Sequence, residues 1–197
     1  MKFSQHEIND LLVSWVVLSV AFTLFRRGGI PGLMRSGYVT QMPMYIVQML
    51  IIVGTAFVLH ELSHKYVAQK YGMWAEYRKW NWGLLMAVFL SATGFFFFAA
   101  PGAVMIMSAG WVTPEIEAKT SIAGPATNIT VGIVALLLRA AGSFPLFLTE
   151  LAAINFFLAV FNLLPIPPMD GSKVLRYNVV LWAAAFVLAI ILLIAAL

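Results

Sequence analysis

The sequence predicts an all-α, polytopic membrane protein, a bundle of about six transmembrane helices. The chain of 197 residues is 62% hydrophobic and only 10% charged, and its mean hydropathy is +0.92; ordinary soluble domains contain about 45–50% apolar residues. Several apolar runs approach the length of about 20 residues that crosses a bilayer. We expect one membrane-embedded domain over 1–197, with a core at about 42–176 and peripheral helices at 11–25 and 179–197.

Charge and cysteine content exclude some classes of protein. The net charge of +4 is spread over loops and is not concentrated in one patch, so a nucleic-acid partner is not indicated. The sequence contains no cysteine, which rules out disulfides and cysteine-ligated zinc.

Apolar runs and their breakers set the expected helix bounds. A retained first helix covers 11–25, and Arg-Arg-Gly-Gly followed by Pro-Gly ends it. Three prolines stop the helix that precedes residue 165, because proline cannot donate to the helical ladder. The remaining helices are predicted at 42–71, 121–141, 146–164 and 179–197, with polar connectors at 72–82 and 111–120.

The stretch 83–110 is long enough for a crossing, but Gly94, Pro101 and Gly102 interrupt it. At membrane depth, backbone groups freed by Pro-Gly must be satisfied by protein or water. We therefore expect a helix or re-entrant hairpin followed by a short extended piece, so that 95–108 is re-entrant or extended. A kinked, irregular crossing is the alternative.

The pattern His60-Glu61-Leu62-Ser63-His64 lies at the end of a long apolar run. Imidazoles four residues apart lie on one face of a helix, with about 5–6 Å between their β-carbons, so both can reach one metal ion. Glu61 is then placed beside the ion as a proton acceptor. Ionisable groups inside a membrane are costly and usually functional. The pattern predicts a zinc site with one Zn²⁺ per chain.

A catalytic zinc usually has three protein ligands, so the two histidines need a third. The chain has two aspartates, Asp10 and Asp170. Asp170 follows the proline-rich stop, where its carboxylate can turn back into the bundle. Asp10 precedes the first span, and no feature of the sequence indicates where its side chain lies. Two histidines, one carboxylate and an open water position form a hydrolytic centre, in which Glu61 takes the proton of water and passes it to the leaving amine.

Non-catalytic interpretations of the same residues are the alternatives. The two histidines could be polar contacts between helices, although that explains neither the glutamate nor the spacing of four. Asp170 could be a solvated turn residue. The whole chain could be a catalytically silent, metal-binding membrane scaffold protein, in which substitution of Glu61 leaves function unchanged.

These motifs resemble the site-2 protease family of intramembrane zinc metalloproteases, peptidase family M50, in a minimal form without PDZ or CBS domains. That family pairs His-Glu-x-x-His with a downstream Asn-x-x-Pro-x-x-x-x-Asp-Gly segment, which here runs from Asn162 to Gly171. Gly124 to Asn128 is similar to the family's Gly-x-x-x-Asn feature. The resemblance covers about 42–176, and the first 41 residues match nothing recognisable.

The resemblance implies a zinc endopeptidase that cuts transmembrane segments of membrane proteins, as in regulated intramembrane proteolysis. His60, His64 and Asp170 would hold zinc, and Glu61 would be the general base. Asn162 would help to hold the substrate carbonyl or its oxyanion. Substrate-positioning residues would be Asn128, for which helix packing is equally favoured, and an extended edge at Gly102, Ala103, Val104 and Met105. A helical substrate must unwind, and an unpaired strand edge can receive it.

Basic residues indicate an orientation in the lipid bilayer. If the loops 65–82, 110–120 and 171–178 share a face with the N-terminus, that face carries eight of the 12 basic residues: Lys2, Lys65, Lys70, Arg78, Lys79, Lys119, Lys173 and Arg176. The opposite face then has Arg26, Arg27, Arg35 and Arg139. Cytoplasmic loops are richer in Lys and Arg. We expect a multi-pass protein of the cell membrane with its active-site mouth toward the cytoplasm.

Overall fold

The structure is a computed structural model that describes residues 1–36, 38–95 and 100–197. In those residues the chain forms nine α-helices, a 3₁₀ turn, a π turn and two strands. In chain order they are α1 (Gln5–Arg26), α2 (Gly29–Ser36), the 3₁₀ turn (Tyr38–Gln41), α3 (Met42–Val53), the π turn (Gly54–Val58), α4 (Leu59–Lys70), β1 (Trp74–Lys79), α5 (Asn81–Thr93), β2 (Gly102–Met107), α6 (Pro114–Ala140), α7 (Pro145–Asn162), α8 (Asp170–Tyr177) and α9 (Val179–Ala196).

The predicted all-α, polytopic class is confirmed. Within the described ranges, five helical spans are long and apolar enough to cross a membrane: Gln5–Arg26, Val39–Lys70, Pro114–Ala140, Pro145–Asn162 and Val179–Ala196. A further apolar helix, α5, has 13 residues, which at 1.5 Å per residue is about 20 Å long and shorter than the hydrocarbon core. The chain is therefore a multi-pass membrane protein.

The interrupted stretch 83–110 contains most of α5 and then β2, so the expected short extended piece is present. Residues 96–99 of the predicted re-entrant segment lie outside the described residues. The polar connector predicted at 72–82 contains a strand instead, β1, which pairs with β2. The sequence around β1 did not predict this strand, because its pairing partner lies more than 20 residues further along the chain.

The start of α6 and the segment after Asp170 both differ from the prediction. α6 begins at Pro114, inside the predicted connector 111–120, because Thr113 caps it by accepting the Ile116 N–H at 3.3 Å. Pro114 at the first helical position and acidic residues in the first turn also favour this start. The segment after Asp170, predicted as a loop, forms α8.

The chain divides into two compact units. The first comprises Met1, Thr55–Ala75 and Ile106–Leu197. At its centre α6 packs against α4, α7 and α8, and α9 packs against α7 and α8. A buried apolar cluster joins α6, α7 and α9 through Ile129, Ala159, Leu163 and Ala189.

The second unit comprises Lys2–Gly54 and Glu76–Met105. In it α1 packs against α3 and α5. The indole N–H of Trp15 donates to the Leu50 carbonyl at 2.8 Å, next to the point where α3 gives way to the π turn. α1 begins six residues earlier than predicted, so that its first turns carry polar side chains into the unit.

Those polar side chains hold the outer edge of β1. The carboxylate of Glu7 accepts the Tyr77 backbone N–H at 3.0 Å, and that of Asp10 accepts the Lys79 backbone N–H at 3.3 Å and pairs with the Lys79 ammonium. Asp10, for which the sequence indicated no partner, is 2% exposed. The Tyr77 hydroxyl donates to Ser14 at 2.9 Å.

The other edge of β1 faces β2. The Trp80 N–H donates to the Pro101 carbonyl at 2.7 Å, so the end of β1 meets the start of β2 and the two strands run antiparallel. Backbone N–H groups alternate between the two edges of a strand, and Tyr77 and Lys79 accordingly donate away from β2. In the described part of the chain β2 has no further strand beside it.

Candidate metal centre

The two histidines of the motif lie on α4, directly after the π turn. Both are buried, and their rings meet edge to face with centroids 4.6 Å apart. The Nε2 atoms of His60 and His64 are 3.0 Å apart. The expected pairing of imidazoles on one helical face is therefore present in the structure.

Asp170 is brought to this pair by the turn between α7 and α8. One of its carboxylate oxygens lies 3.1 Å from His64 Nε2 and 3.5 Å from His60 Nε2. The neighbouring Gly171 permits this approach, because a β-carbon at that position would lie 2.1 Å from the Leu163 carbonyl oxygen. The Asp-Gly pair thus allows α8 to begin against the end of α7.

The partners of the other ring nitrogens fix the tautomers. His64 Nδ1 lies 2.7 Å from the Thr120 carbonyl oxygen, which can only accept, so Nδ1 carries the proton. His60 Nδ1 lies 2.6 Å from the Oδ1 of Asn128, whose nitrogen donates to the Ala56 carbonyl at 2.8 Å. With Nδ1 bonded on the far side, the Nε2 of each ring is the nitrogen that faces Asp170 and is left to bind a metal ion.

Three acceptor atoms thus lie 3.0–3.5 Å from one another. Without a cation or an added proton among them their lone pairs repel. Ligand atoms about 2.0–2.1 Å from a tetrahedral zinc are about 3.3–3.4 Å apart, which matches these separations. The donor set, two imidazole nitrogens and a carboxylate oxygen, suits zinc as well. Of the residues that the structure describes, these three are the group that could hold a metal ion.

Space for an ion is kept by Gly124 on α6. A β-carbon at this position would lie 2.5 Å from the Nε2 atoms of both histidines. The gap that the absent side chain leaves therefore faces both ligand nitrogens. Pro125, the next residue, removes one hydrogen bond from this turn of α6.

The charge state of Asp170 also suits a metal ligand. Burial raises the pKa of this carboxyl, but the facing imidazoles of His64 and His60, by charge and hydrogen bonding when protonated, lower the pKa by more. The net pKa lies below the ordinary value, so Asp170 is a carboxylate at neutral pH. Lys173, one turn further along α8, lies 3.9 Å from the other carboxylate oxygen.

The other predicted site residues are placed as follows. Glu61 is half-buried and close enough to His64 to interact electrostatically with it. Asn162 ends α7, is half-buried, and donates one amide N–H to Leu158 in its own helix at 3.0 Å. Gly102–Met105 lie in β2. Asn128 is buried and bonds to the metal-ligand candidate His60, so its amide faces the protein interior.

The groups that bind the far side of the imidazoles were not predicted from the sequence. The backbone carbonyl of Thr120 has no side-chain signature, so no sequence pattern could have revealed it. Asn155, which was not predicted as a site residue, accepts from Asn128 at 3.0 Å. Its signal was an uncharged polar residue in an apolar run, which costs free energy unless it is hydrogen-bonded.

Fold and site together describe a multi-pass membrane protein of the kind that could bind a metal ion, with five apolar spans in the described residues and a candidate centre of two histidines and one carboxylate. Comparison with known proteins agrees. The relative named "Putative zinc metalloprotease MJ0611" from Methanocaldococcus jannaschii is 40% identical over 186 residues, covering 92% of this chain and 90% of the relative. "Zinc metalloprotease MJ0392" from the same organism is 34% identical over 64% of this chain, which spans about a third of that relative's length (32%).

Residues 138–184 match the sequence profile of peptidase family M50. The chain belongs to peptidase family M50 and is a metalloprotease. The resemblance to site-2 proteases that the sequence motifs indicated is therefore confirmed. No solved structure matches the chain.

Proposed function

We propose that this chain is a zinc-dependent intramembrane endopeptidase that hydrolyses peptide bonds within transmembrane segments of other membrane proteins. One Zn²⁺ per chain would be held by His60, His64 and Asp170 in a single membrane-embedded protease domain. The observation that carries the proposal is the group of three acceptor atoms, 3.0–3.5 Å apart, with both imidazole Nδ1 atoms already bonded to other groups. Because α4 and α6 are parts of apolar spans, the bond to be cut would reach the site inside the membrane.

The chemistry follows from the groups beside that site. Zinc, when bound, supplies a Lewis acid that lowers the pKa of water to about 7 and polarises a carbonyl. Glu61 is one residue from His60 on the same helix, and it would accept the proton of the attacking water and deliver it to the leaving amine. Proton return to the amine breaks the C–N bond without leaving charge in the apolar site.

Asn162 is the candidate donor to the substrate carbonyl. An amide has two N–H groups, and one of them is used by Leu158. The second can donate to the oxygen that becomes negative as water attacks. A neutral donor is suited to a dry site, because it stabilises the developing charge without the cost of burying a second charge.

The substrate must be extended before it is cut, because a transmembrane helix hides its own carbonyls. The free edge of β2, at Gly102–Met105, can pair with an extended segment. β1 cannot, because Glu7 and Asp10 already accept the N–H groups on its outer edge. The small sheet is therefore open on one side only within the described residues, and an added strand would lie beside β2.

The natural partners of such an enzyme are transmembrane protein substrates and the lipid bilayer around them. The distribution of basic residues, eight on one face and four on the other, supports a location in the cell membrane with the mouth of the site toward the cytoplasm.

The test compares purified wild type with Glu61→Gln, in zinc content and in cleavage of single-span reporter proteins. Glu61→Gln should keep about one zinc per chain, the number set by one three-ligand site, and lose cleavage. Glu115→Gln is the matched control, because Glu115 is exposed and forms its ion pair with Lys119, one turn away on the same helix. It should retain both properties.

Cleavage by Glu61→Gln at the wild-type rate would contradict the role of this glutamate. If the wild type binds zinc but cuts no reporter, and Glu61→Gln leaves every cellular phenotype intact, the chain is a silent metal-binding scaffold instead.

A further inference from the structure

We propose that Asn128 and Asn155 are positioning residues for the metal ligand His60, acting as a chain of oriented amides that holds the imidazole proton on Nδ1. This rests on the zinc site of the proposed function. The chain of hydrogen bonds runs from His60 on α4 to Asn128 on α6, then to Asn155 on α7 and back to Thr55 in the π turn. All four residues belong to the same compact unit.

Backbone carbonyls set the direction of each amide. The nitrogen of Asn128 lies 2.8 Å from the Ala56 carbonyl oxygen, and that of Asn155 lies 2.9 Å from the Leu151 carbonyl oxygen. Carbonyl oxygens only accept, so each of these positions must be an NH₂ group. Neither amide can be flipped without placing its oxygen against a carbonyl oxygen.

The remaining atoms then have one arrangement. Asn155 Oδ1 accepts the second N–H of Asn128 at 3.0 Å, and the second N–H of Asn155 reaches the Thr55 hydroxyl at 3.3 Å. Only the oxygen of Asn128 is left for His60, and an oxygen at 2.6 Å requires a proton on Nδ1. His60 Nε2 is thereby left bare for a metal ion.

Burial of the two amides makes the loss of any one of these hydrogen bonds costly. Asn128 and Asn155 are both 0% exposed, so water cannot replace a lost partner, and an unsatisfied buried amide is costly. The π turn contributes as well, because Ala56 and Thr55, two of the groups that the amides bind, both lie in it. π turns inside α-helices are frequent at functional sites.

Packing between helices would not need this directionality. A contact that merely joined α4 to α6 would work with either tautomer of His60, and the chain already has such a contact: the hydroxyls of Ser63 and Thr127 lie 2.7 Å apart. Thr127 is adjacent to Asn128 on α6 and joins the same two helices, but its hydroxyl bonds to Ser63 and to the Ala123 carbonyl rather than to a histidine. A substitution of Thr127 therefore tests helix packing without touching a metal-ligand candidate.

The experiment measures zinc affinity by chelator competition and the ring tautomers by ¹⁵N and ¹³C NMR of histidine-labelled, zinc-free protein. In the wild type both His60 and His64 should be protonated on Nδ1. Asn128→Leu should weaken zinc binding by about 10–100-fold, the range typical for loss of a ligand's outer partner. Its His60 signal should shift toward a mixture of tautomers, while that of His64 stays unchanged.

Two variants sharpen the result. Asn155→Leu should weaken zinc binding by about tenfold, at the low end of the same range, because it releases Asn128 without removing it. Asn128→Asp keeps an acceptor for His60 and should restore the Nδ1 tautomer that Asn128→Leu loses. Thr127→Val is the control and should leave both zinc affinity and tautomers as in the wild type.

Several outcomes would overturn the proposal. If zinc-free wild type shows His60 protonated on Nε2, the amide chain does not set the tautomer, whichever variants fold. If Asn128→Leu or Asn155→Leu binds zinc as tightly as Thr127→Val, the amides only pack helices. Because neither readout depends on cleavage, a protein that binds zinc as expected but cuts no reporter would reject the protease function and leave this inference standing.

Discussion

Two buried polar clusters in this molecule use the same kinds of atoms in opposite ways. The first is the carboxylate cluster, in which Glu7, Asp10 and Ser14 of α1 bind Tyr77 and Lys79 of β1. Each carboxylate there faces an N–H donor. The effect of these contacts is to hold a strand.

The second is the imidazole cluster, formed by His60, His64 and Asp170 with Asn128 and Asn155 behind them. Its donors are all directed outward, to the Thr120 carbonyl and to the amide chain, and its three inward atoms are all acceptors. A buried set of acceptors without donors needs a cation, whereas a set with donors does not. This difference, more than burial or charge, separates a structural cluster from a metal site.

The largest effect on zinc content is expected from a substitution of Gly124. Gly124→Ala adds a β-carbon 2.5 Å from both ligand nitrogens, in the space that an ion needs, so zinc content and cleavage should both fall close to zero. Metal analysis of the purified protein checks this. Gly110→Ala is the control, because a β-carbon there meets nothing within 4 Å. Full zinc content in Gly124→Ala would show that the ion does not lie against α6.

The same substitution should act on different properties in the two clusters. Asp170→Asn removes the charged member of the imidazole cluster, so zinc binding should be lost. Asp10→Asn breaks a bond to a charged partner and should lower the free energy of unfolding by about 1.5–3 kcal/mol with zinc affinity unchanged.

Thermal melting with and without a chelator checks both halves of this prediction. Free zinc at about 100 times its dissociation constant should stabilise the wild type and Asp10→Asn by about 2.7 kcal/mol, and Asp170→Asn not at all. If chelation destabilises Asp170→Asn as much as the wild type, Asp170 is not a ligand.

The smallest effect is expected at Ser14. Ser14→Ala removes the acceptor that Ser14 offers to the buried Tyr77 hydroxyl, which should cost about 1–3 kcal/mol of stability without any change in zinc content. Melting of Ser14→Ala beside the exposed control Thr130→Val measures it. An altered zinc affinity in Ser14→Ala would mean that the carboxylate cluster also acts on the metal site.

The sequence predicted one of these clusters and missed the other, for a physical reason. His60 and His64 are four residues apart on one helix, so local geometry alone joins them, and the Asp-Gly after the prolines indicated the third member of the cluster. Asp10 and Lys79 are 69 positions apart, and nothing local to either residue indicates the pair. Long-range strand pairing hid β1 in the same way.

The helices were easier to predict than their details. Apolar length predicted the five spans, because the bilayer imposes that length, and the proline-rich stop after α7 was placed to within two residues. The start of α6 was missed because its first turn is polar, and polarity was taken to mean a connector. The amide chain from Asn128 to Asn155 required a tertiary contact that sequence periodicity does not carry.

The π turn at Gly54–Val58 makes the protease sensitive to chain length as well as to residue type. It holds one residue more than an α-helical turn would, and one residue corresponds to a rotation of about 100° around the axis. Deleting a single residue there should leave the apolar character of the span almost unchanged, yet it should turn the residues that follow, His60 and His64 among them, by about 100° about the helix axis. The angular phase of the ligands is thus set in a segment that contains none of them.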